Sequence, residues 1–155
     1  MIKVNVIVNN KNWKKNIINP EKYLKKKTQS LNLKYAFFKK KKVEFSLLLS
    51  GKTEIKKLNK NFRKKNKATD VLSFPFYEKK ELKKIFKKNK TIYLGDIIVN
   101  LNMVNKKNDA KKNFYLNFDK LWIHGLIHLL GGRHLKNKDY LAMQKLERKY
   151  LSLVS

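Results

Sequence analysis

The chain has 155 residues, 42% hydrophobic and 12% aromatic, a size that suits one domain burying about two-thirds of its unfolded surface. It carries 39 Lys and Arg against 11 Asp and Glu, a net charge of +28, and no cysteine. This excludes a disulfide framework and leaves His, Asp and Glu as metal ligands. The apolar runs are too short to span a membrane, and the expected compartment is the cytoplasm.

The charge favours a polyanionic partner, RNA or DNA. Only Arg63, Arg133 and Arg148 are arginines among the 39 basic residues, and Asn and Ile are abundant. Drift in an A/T-rich genome is an alternative source of the lysines, and both readings stand at this level.

Residues 2–8 alternate Ile2, Val4, Val6 and Val8 with polar positions, which predicts a half-buried strand. Asn19, Pro20 and Glu21 open a helix as cap, first position and first turn. Lys39–Lys42 is expected to be a solvated connector, and Val43 to Leu49 alternate as a second strand. Ile55, Leu58 and Phe62 share one face of a following helix. Val71 to Phe76 reads as a third strand, with Pro75 marking an edge or an end. Residues 78–91 look like an exposed Lys-rich insertion around Leu82, Ile85 and Phe86.

A fourth strand runs through "IYLGDIIVN", where Gly95 suggests a bulge. A polar helix is expected from about Leu101 to Asn113. The segment Leu121 to Leu130 is apolar nearly all round and should be the buried central helix, stopped by Gly131 and Gly132. A last helix, about Lys138 to Leu153, carries an apolar stripe. The expected fold is a single α+β domain over residues 1–155: a small mixed sheet of about four strands packed with about five helices.

All three histidines fall in "HGLIHLLGGRH". His124 and His128 are one helical turn apart on one face, the spacing by which a helix gives two ligands to one metal. His134, just past the Gly-Gly turn, can return to the same point. Three imidazoles leave a fourth tetrahedral position for water, an arrangement of catalytic zinc; nickel, copper and iron also accept such donors. The zinc-protease helix needs a Glu where this chain has Gly125, so peptidase activity is not expected.

These residues carry a family resemblance. "HGLIHLLGGRH" resembles the YbeY signature His-Gly-x-x-His-Leu-x-Gly-Tyr-Asp-His. "LNKNFRKKNKATDVLSFPF", Leu58 to Phe76, and "LGDIIV", Leu94 to Val99, resemble two further blocks of that family, in the family's order. The resemblance implies a zinc-protease-like catalytic scaffold and a metal-dependent endoribonuclease. Its implied substrate is single-stranded RNA, and its partner the ribosomal small subunit, whose rRNA it would process at the 3′ end and monitor for quality. It carries one zinc ion onto His124, His128 and His134, and a functional arginine onto Arg63.

One departure matters: the family's Tyr-Asp is Gly132-Arg133 here. If that Asp orients a ligand, its loss would lower metal affinity about 10–100-fold. An RNA-binding protein with a structural or lost metal site is the alternative. Asp70 is a candidate turn cap or partner of Arg63, and Asp96 a candidate contact of a ligand histidine. Phe74, Phe76 and Tyr77 are stacking candidates, with core packing the plainer expectation for the two phenylalanines.

Overall fold

A computed structural model describes residues 1–105, 111–134 and 136–155. Four strands, β1 (Ile2–Val8), β2 (Lys42–Ser50), β3 (Val71–Pro75) and β4 (Thr91–Asn100), form one sheet in the order β1-β2-β4-β3. The first three in that order are mutually parallel, and β3 runs antiparallel on the edge beside β4. The expected α+β mixed sheet is therefore present, and Pro75 ends an edge strand.

The described residues hold eight helical segments. Five are ten residues or longer: α2 (Pro20–Lys34), α4 (Lys52–Arg63), α5 (Lys79–Lys88), α7 (Lys111–Leu129) and α8 (Asn137–Val154). Three short turns that periodicity could not reveal make up the rest: α1 (Trp13–Asn16), α3 (Ala36–Lys40) and α6 (Leu101–Val104). Two expectations change. The connector at Lys39–Lys42 is divided between α3, which buries Phe38, and the start of β2. The polar helix expected over 101–113 is a single turn at α6; residues 106–110 lie outside the described residues, and from Lys111 the chain already belongs to the central helix. The insertion at 78–91 is α5, which buries Leu82 in the main core.

The main core lies on one face of the sheet, under α2, α7 and α8. β2 sends Val43, Phe45, Leu47 and Leu49 to it. β4 sends Ile92 and Leu94, then Ile97 and Val99. That change of parity needs one extra residue, supplied where Gly95 adopts φ 128° and the β2–β4 register slips. A β-carbon at Gly95 would lie 2.1 Å from the Phe74 carbonyl oxygen. On the opposite face α4 covers a smaller cluster of Ile55, Leu72 and Ile98.

α7 is fixed at its N-terminal half by the buried Asp119. Its carboxylate accepts from Trp122 Nε1 at 2.8 Å and Tyr23 Oη at 3.0 Å, and pairs with Lys27 Nζ at 2.9 Å. Lys27 also donates to the Val154 carbonyl, so α2, α7 and α8 meet there. Further along, Gly125 rests on β4: a β-carbon there would be 2.7 Å from Ile97 Cγ2. Close packing against the sheet explains this glycine.

Gly125→Ala gains helix propensity but forces the buried Ile97 or the whole helix to move. It should lower stability by about 1–3 kcal/mol, read as a fall in the urea midpoint, and should cost less when made in an Ile97→Ala background, where the contacted side chain is gone.

Candidate metal centre and its cleft

The C-terminal end of α7 builds the site. Gly131, at φ 93°, donates its N–H to the His128 carbonyl at 3.0 Å, and Gly132 N–H reaches the Ile127 carbonyl at 2.9 Å. This pair of bonds closes the helix as a Schellman turn, whose left-handed position suits glycine. A β-carbon on Gly132 would sit 2.9 Å from that same Ile127 oxygen. The turn then returns the chain so that His134 faces the helix it has just left.

The three imidazoles converge as the spacing predicted. Ring centroids are 4.6 Å apart for His124 and His128, 4.6 Å for His128 and His134, and 5.2 Å for His124 and His134. One nitrogen from each lies within 4.8 Å of the others. His124 and His128 are half-buried and His134 is exposed.

The ring orientations are set by outer partners. His128 Nδ1 lies 2.9 Å from the Gly132 carbonyl oxygen, which only accepts, so that nitrogen carries the proton. His124 Nδ1 lies 2.6 Å from Glu147 Oε1, a carboxylate that likewise accepts. Both Nε2 atoms are thereby turned inward, 3.1 Å apart. Two lone pairs at that separation repel unless a shared proton or a cation lies between them. Nitrogens bound tetrahedrally to one zinc at about 2.0–2.1 Å are about 3.3 Å apart, so the donor set fits a metal ion of that kind. Burial, with the charges of the other two histidines and Arg63 against it, pushes the pKa of His128 down to about 4, while its Gly132 bond acts the other way. At neutral pH His128 is therefore a neutral imidazole whose Nε2 lone pair is free, its one proton staying on Nδ1.

Glu147 was invisible to the motif reading. It stands on α8, 23 residues from His124, among the polar positions of an amphipathic helix. The available signal was compositional: in a chain with 11 acidic residues against 39 basic ones, each carboxylate invites a question. It fills the outer-acceptor role that the loss of the family's Asp had put in doubt.

Arg63 is the last residue of α4, on the other face of the sheet. Lys64 caps that helix at φ 58°, and the buried Asn59 pins the following loop through its Nδ2 bond to the Lys67 carbonyl at 2.8 Å. So placed, Arg63 donates from Nη2 to the Ser73 carbonyl at 2.9 Å, with its guanidinium 5.9 Å from the Phe74 ring centre. Arg63 and His128 line one cleft of about 400 Å³, with Ser73, Phe76, Tyr77 and Arg133. A second hollow, of about 320 Å³, reaches His124 from the other side, between Asp70, Lys120, Glu147 and Arg148.

The free edge of β3 beside this cleft is partly blocked to strand pairing. Val71 N–H is taken by Asp70 Oδ1 at 2.8 Å, the Ser73 carbonyl by Arg63, and Pro75 has no N–H. Asp70 is thus a turn cap, as one of its expected roles had it. Asp96 does not reach a histidine; it accepts from Tyr93 Oη at 2.6 Å. Phe74 packs on the α4 side, as expected, whereas Phe76 is 65% exposed, against the core role expected for it.

The family model described as endoribonuclease YbeY matches residues 7–155. A protein named endoribonuclease YbeY from Pelagibacter ubique (strain HTCC1062) is 43% identical over 148 residues, 95% of this chain and 92% of that protein. One of the same name from Buchnera aphidicola subsp. Acyrthosiphon pisum is 37% identical over 145 residues, 92% of this chain and 83% of its own length. Among solved structures, the solution structure of TM1509 from Thermotoga maritima is similar, with a TM-score of 0.61 and 25% identity over 99% of this chain and 89% of that one. Matched along nearly its whole length by that model and by these relatives, the chain belongs to the YbeY family.

Proposed function

We propose that this chain is a zinc-dependent endoribonuclease that cuts single-stranded RNA. In this reading it works as one domain, in the cytoplasm, on the 3′ end of small-subunit ribosomal RNA and in ribosome quality control. The observation that carries the hydrolytic reading is the inward-facing Nε2 pair of His124 and His128, joined by His134, with His128 sharing a cleft with Arg63. The RNA substrate rests on family membership and agrees with the +28 charge.

His124, His128 and His134 would hold the ion. A zinc there supplies Lewis acidity and a bound water whose pKa falls to about 7. Glu147 fixes the His124 tautomer, and the Gly132 carbonyl fixes that of His128. Arg63, steered by Ser73 and Phe74, would grip the scissile phosphate with two parallel donors, a geometry an ammonium lacks. With Gly125 in the helix, no carboxylate occupies the base position of a zinc peptidase, and the partly blocked β3 edge offers a peptide strand fewer groups to pair with.

Wild type, His128→Ala and Arg63→Lys, purified in parallel, should be compared on a labelled single-stranded RNA with and without chelator. The expected result is cleavage by wild type that chelator abolishes and zinc restores. None is expected from His128→Ala, and turnover should be strongly reduced in a folded Arg63→Lys. Equal cleavage by wild type and His128→Ala, or none by zinc-loaded wild type, would overturn the enzyme reading and leave an RNA-binding protein. Full activity in Arg63→Lys would remove that arginine's role alone.

Zinc affinity tests the outer partner separately. Glu147→Gln should weaken zinc binding about 10–100-fold in a chelator competition, with the unfolding midpoint of the metal-free protein little changed.

Metal-free protein should also carry a pH signature of His128. Its folded pKa of about 4 lies below the ordinary 6.5, so the unfolded chain takes up the proton first. This group contributes nothing to the slope above about pH 6.5, and stability falls as pH drops from there towards 4. Urea titrations across that window should have a shallower slope in His128→Asn.

A further inference from the structure

The two hollows flanking the histidines are unequal. The one reaching His124 balances Asp70 and Glu147 against Lys120 and Arg148. The one reaching His128 continues outward over α5, and along the two together stand Arg63, Lys79, Lys80, Lys83 and Arg133 against Glu78 and Glu81. Those two carboxylates are occupied with each other's backbone in the capping box that starts α5. An anionic strand is drawn to this side.

All three arginines of the chain line these hollows: Arg63 and Arg133 on the α5 side, Arg148 on the other. Lysine serves for charge everywhere else. A flat, two-donor cation is thus found where a phosphate would have to be held in one orientation. Arg133 stands where the family signature has an acid.

The same cleft holds a large apolar surface turned to solvent. Phe76 is 65% exposed. Its ring is set edge-on between Tyr77, 5.0 Å away, and Tyr93, 5.9 Å away. Tyr93 is itself tied to Asp96 at 2.6 Å and Ser46 at 2.8 Å. A fixed aromatic ring beside a line of cations is what a single strand needs: a surface for one base and donors for the phosphates next to it. A duplex, with its bases already stacked, gains only from the cations.

Resting on the RNA reading above, we propose that Phe76 is a base-stacking platform on one side of the centre. Arg133 binds the adjoining phosphate, and Lys79, Lys80 and Lys83 of α5 guide the backbone outward. The footprint on RNA is then lopsided, extending from the histidines over α5.

The test is fluorescence anisotropy of a labelled, unstructured 12-nucleotide RNA, with chelator present so that nothing is cut, across a salt series. Phe76→Leu keeps an apolar side chain but not the stacking face. It should weaken binding about tenfold with no change in salt slope, while Phe76→Trp binds at least as well as wild type. Arg133→Ser should lower the slope by about 0.7, the value of one single-strand phosphate contact. On the same sequence annealed into a duplex, Phe76→Leu should match wild type. Both side chains are exposed, so thermal melts of the variants should overlay that of wild type. Wild-type affinity in Phe76→Leu, or an unchanged slope in Arg133→Ser, overturns this inference while the RNA reading stands. Failure of wild type itself to bind the RNA overturns both.

Discussion

The contact of Gly125 on Ile97, where α7 meets the sheet, governs the site. With no β-carbon between them, the helix lies directly on β4. Successive residues of a helix are about 100° apart. Once Gly125 faces the sheet, His124 and His128 must point sideways, along the rim where the helix clears the edge strand. The glycine costs about 1 kcal/mol of helix propensity. In return the core helix and the metal helix are one element.

That rim is assembled from both faces of the sheet. α7 and α8 come from the main core and bring the histidines and Glu147. α4 comes from the opposite face and sends Arg63 over the edge of β3. The guanidinium occupies a backbone acceptor that an added strand would have used, and holds a charge close enough to depress His128. One side chain thereby blocks part of an edge and furnishes the cleft.

Features that depend on local pattern were legible in the sequence. Alternation gave β1 and β2, Pro75 the edge, Gly95 the bulge, and the histidine spacing with Gly131 and Gly132 the convergent site. What escaped were consequences of tertiary placement. The parallel pairing of β2 with β1 and β4 carries no local mark. Phe114 and Phe118 lie between the expected polar helix and the expected start at Leu121, yet they belong to α7 and pack on Trp13. Glu147 needed the α7–α8 packing to meet His124. Phe74 and Phe76 are two apart in a stretch read as one strand, yet one is covered by α4 and the other lies beyond the end of β3 in the open. Pattern alone had assigned both inward.

The three histidines are not held alike. His124 and His128 are each tied at Nδ1, one to a carboxylate and one to the cap of their own helix, and that helix is clamped further back through Asp119. His134 lies past the cap, exposed, and among the described residues neither of its ring nitrogens has such a tether. Folding has therefore already spent the ordering entropy of two of these side chains, and an ion bound by all three would have one left to order. Such a centre would be a fixed jaw and a hinged one, closing last at His134.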